Sequence, residues 1–247
     1  MTSFAVSLLS GGLDSAIVTA YAKRQVDHIT ALTFNYGQKH DKEIRCAQNI
    51  SKLMDLTHRI IDVPFFREVA WYSALTSPEN FQIPYDRSEF DIGHNIPVTY
   101  VPLRNTIFIG LAAAFLESKV LHLIESEGVN YEDVKAYLYI APNAVDYSGY
   151  PDCRPEFYDS VRDTIKHGSK LWAEYNVCIQ IETPIINFSK AEIVDMGVRL
   201  GIPMEYTWSC YNGGDVPCGV CESCIIRSRG FAENGMVDPL MVQLDMD

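Results

Sequence analysis

The feature that most constrains this chain is the hexapeptide Ser10-Gly11-Gly12-Leu13-Asp14-Ser15, wedged between the largely apolar run Phe4-Ala5-Val6-Ser7-Leu8-Leu9 and an apolar-periodic stretch at residues 15–23. The run reads as a buried first strand and the stretch as a helix, so the hexapeptide forms a strand-to-helix turn. At such a turn the exposed backbone N–H groups and the positive helix end attract an anion. Glycines at 11 and 12 let the backbone approach that anion closely, and Ser10 and Ser15 add hydroxyl donors. An ordinary Gly-Gly turn with Asp14 capping the next helix is the bland alternative. The complete hexapeptide directly after the first strand favours phosphate. No Lys follows the second Gly, so the Gly-x-x-x-x-Gly-Lys-Ser/Thr pattern of terminal phosphoryl transfer is absent.

Beyond this turn the pattern alternates. Strands are expected at 29–34, 58–63, 136–140 and 177–182, and helices at 41–54, 106–123, 156–175 and 189–200, the last opened by a Ser189-x-x-Glu192 capping pair. Alternation of this kind predicts an α/β fold with a doubly wound, mainly parallel sheet. Residues 65–98, rich in aromatics, Pro and Asn, read as a long functional connection. Lys190, at a helix start after the last strand, is a candidate phosphate contact, with a solvated helix-end lysine as the alternative. Residues 1–205 are expected to form the catalytic domain and residues 206–247 a small cysteine-centred lobe packed on it.

That lobe holds Cys210, Cys218, Cys221 and Cys224 in a Cys-x7-Cys-x2-Cys-x2-Cys spacing, while the other three of the seven cysteines are scattered. Four thiolates close a tetrahedral zinc shell with no open position, which predicts a structural site. An iron–sulfur cluster or disulfides would be the alternatives. Ile225 stands where a Pro often follows the last cysteine of a ferredoxin-type run, and no secretion signal favours disulfides. The formal net charge of -12 repels a nucleic acid backbone and disfavours a stable polynucleotide partner. With no basic leader and no stretch of membrane-spanning length, the chain is expected to be soluble and cytoplasmic.

Six segments together resemble the 7-cyano-7-deazaguanine synthase family of the PP-loop ATP pyrophosphatase superfamily. They are the hexapeptide, residues 34–40 (Phe-Asn-Tyr-Gly-Gln-Lys-His), 100–105 (Tyr-Val-Pro-Leu-Arg-Asn), 146–154 (Asp-Tyr-Ser-Gly-Tyr-Pro-Asp-Cys-Arg), 207–211 (Thr-Trp-Ser-Cys-Tyr) and the cysteine cluster. The resemblance implies an adenine nucleotide alpha hydrolase-like fold and a ligase that joins ammonia to 7-carboxy-7-deazaguanine, using ATP and Mg2+, through adenylated and amide intermediates. A homodimer is one option for its assembly. It implies a nucleotide site at Leu8, Leu9, Ser10, Gly11, Gly12, Leu13, Asp14, Ser15, Ala16, Ile17 and Val18, with Asp14, Ser15, Lys190 and Arg104 in catalytic roles.

Arg104 offers a fork for a carboxylate or phosphate, Asn105 can pair with a heterocycle edge, and Asp146 or Asp152 can accept from a guanidine-like edge. Tyr147, Ser148 and Arg154 complete the expected substrate site. Each has a structural alternative, such as a local Asp152–Arg154 ion pair, and Cys153 reads as a buried small hydrophobe rather than a nucleophile. Leu103 replaces the small residue usual before Arg-Asn, Ala141-Pro142-Asn143 replaces a Gly-containing turn, and residues 120–135 read as a longer, acidic surface excursion. The rivals are an enzyme that thiolates tRNA, which the acidic balance opposes, and a non-catalytic zinc module, which the intact hexapeptide opposes.

Overall fold

Five strands pair in parallel to form one sheet, with the first strand of the chain at its centre. The computed structural model describes residues 1–37, 42–82, 96–145 and 150–242. In chain order the elements are β1 (Thr2–Leu8), α1 (Leu13–Lys23), β2 (His28–Asn35), α2 (Lys42–Leu53), β3 (Thr57–Asp62), the single turn α3 (Phe66–Val69), α4 (Arg104–Glu125) and β4 (Val134–Tyr139). Then come α5 (Pro155–Gly168), α6 (Lys170–Tyr175), β5 (Ile179–Glu182), α7 (Lys190–Leu200), α8 (Glu222–Glu233) and the single turn α9 (Pro239–Val242). The expected doubly wound parallel sheet is borne out.

Side chains of β1 alternate between two cores because successive Cβ atoms point to opposite faces. Phe4 and Val6 join one core with Phe108, Ile109, Ala112 and Leu116 of α4, Tyr158 of α5 and Leu171 of α6. Ala5 and Leu9 join the other with Ile17 of α1, Ile50 of α2, Ile193 of α7 and Phe231 of α8. In register, Val6 lies between Thr30 of β2 and Leu138 of β4. The chain winds outward from β1 through β2 to β3, then returns to the other side of β1 for β4. That reversal leaves a crevice beyond the carboxyl ends of β1 and β4, where ligands of open α/β sheets bind.

Several expectations are adjusted. The single helix expected at 156–175 is two, because Gly168 ends α5 and Ser169 caps α6 by accepting from the Trp172 N–H. Helix α4 is long and apolar enough, by length and composition, to cross a membrane, contrary to the expectation that no stretch reaches that length. It lies against β1 and β4 with one face buried, the arrangement of a core helix. The acidic excursion is tied down at its base, where the Glu125 carboxylate accepts from Lys170 Nζ at 2.7 Å and the Tyr175 hydroxyl at 2.8 Å. The cysteine lobe is continuous with the main body, since α8 packs along α7.

Candidate active site

The hexapeptide lies where the reversal of strand order puts a crevice, and its loop is braced from within. Ser15 Oγ accepts from the Ser10 N–H at 3.2 Å, lies 2.9 Å from Ser10 Oγ and donates to the Gly12 carbonyl at 3.0 Å. The Gly12 N–H donates to Ser10 Oγ at 3.2 Å. Gly11 has φ +92°, and a Cβ there would lie 2.1 Å from the Glu43 carbonyl oxygen. Only glycine lets the first turn of α2 come this close. Gly12 is the N-cap of α1, so the unpaired N–H groups of that helix's first turn face the crevice.

Lys190 crosses from the start of α7 to this loop. Its Nζ donates to both Asp14 carboxylate oxygens, at 2.7 and 2.9 Å, and its side chain is 5% exposed against 22% for Asp14. The stem passes Gly230 of α8, where a Cβ would lie 2.3 Å from Lys190 Cγ. Glycine in mid-helix therefore keeps a channel open for the lysine.

A cavity of about 360 Å³ extends from this loop and is also lined by Tyr36, Glu43, Arg104, Asn105 and Phe108. Arg104 and Asn105 project from the first turn of α4, whose N-cap Leu103 has φ +52° and is 59% exposed. A left-handed leucine is costly backbone, and it sits where the chain turns the arginine inward. Burial works against the charge on Arg104, but a side-chain hydrogen bond with Tyr36 and the nearby Asp152 carboxyl push its basicity above the ordinary arginine value. Burial pushes the Glu43 carboxyl up to about 7 even though the Arg104 guanidinium opposes the shift. Burial likewise raises the Asp152 carboxyl and lifts the Cys153 thiol to about 12.

The four cysteines of the lobe bring their sulfurs within 4.8 Å of one another. A Zn–S bond of about 2.3 Å sets tetrahedral sulfurs about 3.8 Å apart, so the cluster could hold zinc with a slight contraction. Backbone N–H groups support it, from Asn212 and Cys218 to Cys210 Sγ at 3.4 and 3.3 Å and from Cys221 to Cys218 Sγ at 3.3 Å. Such donors stabilise thiolate, the ligand form. The lobe also grips the hexapeptide loop, since the Trp208 N–H donates to the Gly11 carbonyl at 2.9 Å while the indole Nε1 donates to the Cys210 carbonyl at 2.9 Å. Lys42 Nζ sits 3.8 Å from the centroid of the Trp208 ring and donates to the Gly214 and Asp215 carbonyls.

A family model described as "Queuosine biosynthesis protein QueC" matches residues 4–235. The 7-cyano-7-deazaguanine synthase of Thermoplasma volcanium is 43% identical over 240 residues, covering 97% of this chain and 91% of that protein. The enzyme of the same name from Nostoc punctiforme is 41% identical over 238 residues, covering 96% and 98%. The chain belongs to the 7-cyano-7-deazaguanine synthase family. This bears out the resemblance read from the six segments.

The structure gathers most of the residues that the family resemblance singles out. Leu8, Leu9, Ser10, Gly12, Leu13, Asp14, Ser15, Arg104, Asn105 and Lys190 line one cavity, and so does Cys210. Ala16, Ile17 and Val18 instead lie fully buried in the core behind the loop. Asp152 is buried beside Arg104, while Arg154 is exposed at the N-cap of α5 and, among the described residues, is not part of the cavity lining. Asp146, Tyr147, Ser148 and His40 fall outside the described residues. Asn143, one of the departures from the family pattern, also lines the cavity, and its Nδ2 donates to the Ile185 and Phe188 carbonyls at 3.3 and 2.5 Å.

Sequence reasoning missed Glu43 and Arg227. The guanidinium of Arg227 is 3% exposed and makes a two-point contact with Asp238 at 2.8 and 3.0 Å while donating to Thr207 Oγ1 at 2.7 Å. Nothing in the spacing of Arg227 and Asp238 marks them as partners.

Proposed function

We propose that this protein converts 7-carboxy-7-deazaguanine and ammonia into 7-cyano-7-deazaguanine at the expense of ATP. The observation that carries this reading is the meeting, in one cavity of a chain of this family, of a braced phosphate loop and an inward-facing Arg104–Asn105 pair. A carboxylate is a poor electrophile, so it is first joined to the α-phosphate of ATP. Ammonia opens that acyl adenylate to an amide, and a second adenylation of the amide oxygen lets it leave as AMP, giving the nitrile.

The backbone N–H groups from Leu13 to Ser15 neutralise the departing pyrophosphate, and Lys190 adds a full charge once phosphate competes with Asp14 for it. Asp14 has the donor chemistry to hold Mg2+, which would supply charge neutralisation at the phosphates. Arg104 holds the substrate carboxylate, Asn105 meets a heterocycle edge, and Asp152 maintains Arg104. Asp146, Tyr147, Ser148 and Arg154 remain assigned to the substrate on the family pattern alone. Zinc at Cys210, Cys218, Cys221 and Cys224 is structural, since four thiolates leave no position for a reactant. The charge of -12 supports a small-molecule substrate and a soluble, cytoplasmic setting, with a homodimer open to sizing in solution.

The test is a mass-spectrometric assay with 7-carboxy-7-deazaguanine, ammonium, Mg2+ and ATP, following both base and nucleotide. Nitrile together with AMP is expected. An amide end point would shorten the reaction to its first half, and an unchanged base from zinc-loaded, folded protein would overturn the assignment and direct the next assay to tRNA thiolation.

A further inference from the structure

Making a nitrile from a carboxylate strips nitrogen of its protons. Ammonia attacking the acyl adenylate carbon gives an N-protonated tetrahedral adduct; one proton leaves nitrogen, the C–O bond to AMP breaks, and amide plus AMP remain. When the amide oxygen displaces pyrophosphate from the second ATP, a second proton leaves nitrogen to give the neutral imidate. A third leaves as the C–O bond breaks and nitrile and AMP form. Three protons need an acceptor close to the carbon, and water is a poor one in an enclosed site.

Among the described residues lining the cavity, the carboxylates are Asp14 and Glu43. Asp14 is occupied by cations, by Lys190 at both oxygens here and by the Mg2+ assigned to it when nucleotide binds. Glu43 belongs to the first turn of α2, the turn that packs on Gly11, so its backbone touches the phosphate loop while its side chain faces Arg104 on the opposite wall. It thus spans the interval between the phosphates and the group that holds the carboxylate. We propose that Glu43 is the proton acceptor for the reacting nitrogen in both halves of the reaction, an assignment that rests on the synthase reading above.

The charged and titratable groups facing Glu43 fit this role. Arg104 of α4 is its cationic neighbour, Tyr36 after β2 feels its charge, and Cys46 one turn along α2 does too. With its carboxyl held near 7, Glu43 is ionised often enough to take a proton and weak enough as a base to release it to water. Burial pushes Tyr36, Cys153 and Tyr158 upward, and they hold their protons instead.

The experiment compares full-length, zinc-loaded wild type with Glu43→Gln and Glu43→Asp, recording kcat and the KM values for ATP and the acid from about pH 5.5 to about pH 9. Wild-type kcat is expected to rise with pH through a limb near 7. Glu43→Gln should lose that limb and about 100-fold in kcat, with KM for ATP within about threefold of wild type. A Gln variant that keeps the limb, or stays within about threefold of wild-type kcat, overturns the assignment. Should the Gln variant fail to fold, as judged by zinc content and melting, the Asp variant decides. A limb that moves with the shorter carboxylate supports the role, and a limb that stays put refutes it. A wild type that makes no nitrile sinks the synthase reading itself, whereas a competent wild type with an indifferent Glu43 sinks only this proposal.

Discussion

Gly11 and Gly12 are adjacent and look interchangeable, yet alanine should damage them in different ways. At Gly11, φ +92° costs an L-residue about 1–2 kcal/mol. The new Cβ would also lie 2.1 Å from the Glu43 carbonyl oxygen and 3.0 Å from the Ala47 nitrogen, both backbone atoms of α2 that cannot rotate aside. Forcing a helix away from a packed loop adds about 1–3 kcal/mol, so Gly11→Ala should lose about 2–5 kcal/mol of stability. At Gly12, φ is an ordinary -78°, and the nearest atom to a new Cβ is the Ser10 hydroxyl at 3.3 Å. Gly12→Ala should cost less than about 1 kcal/mol in folding but place a methyl where phosphate approaches, raising KM for ATP about tenfold or more. Urea denaturation followed by tryptophan fluorescence, with ATP kinetics on the same samples, measures both. A Gly11→Ala protein within about 1 kcal/mol of wild type would refute the close-packing argument, and a Gly12→Ala protein with unchanged ATP kinetics would refute the cradle.

Lys190→Met should fold, and its KM for ATP should rise about tenfold to 100-fold, the worth of one charged hydrogen bond; unchanged nucleotide kinetics would reduce Lys190 to a structural partner of Asp14. Asp238→Ala leaves Arg227 buried without its carboxylate and should cost about 3–5 kcal/mol in chemical denaturation. Stripping zinc with a chelator should weaken nucleotide binding along with the lobe, because Trp208 bonds to Gly11, and a competition assay with a fluorescent nucleotide reads this without turnover. The Glu43 carboxyl is raised in the folded protein, so its ionised form is a burden that grows as pH climbs from 4.5 to about 7 and is absent below that window. Glu43→Gln should therefore melt higher than wild type at about pH 8 and alike at about pH 4, and the reverse order would contradict the burial argument.

The alternation of apolar runs with 3.6-period stretches exposed the sheet, and the Ser-Gly-Gly-Leu-Asp-Ser turn exposed one wall of the cavity, because both are local patterns that repeat or punctuate the chain. Cys210, Cys218, Cys221 and Cys224 were legible for the same reason. The other wall was legible only by family pattern at Arg104 and Asn105, since a single arginine at a helix start has no periodicity to betray it. In the sequence Glu43 is only one of several charges in the stretch expected as a helix at 41–54. Its significance comes from Gly11 admitting α2 so close, a tertiary fact. Ala16, Ile17 and Val18, expected around the nucleotide, instead anchor the loop from behind. The break between α5 and α6 was hidden because Ser169 can cap a new helix as readily as it can ride inside one.

The bond between Trp208 and Gly11 also has a consequence in time. The loop that would seize ATP is made about 200 residues ahead of the tryptophan that braces it. At about 5–20 residues per second, the nascent chain waits on the order of 10–40 s between exposing its glycines and supplying the tryptophan that fixes them. The proposed zinc would then still have to be gathered by the cysteines beyond it. A half-made or metal-starved polypeptide would be a poor consumer of nucleotide, so competence would be withheld until the last lobe has closed over the first turn.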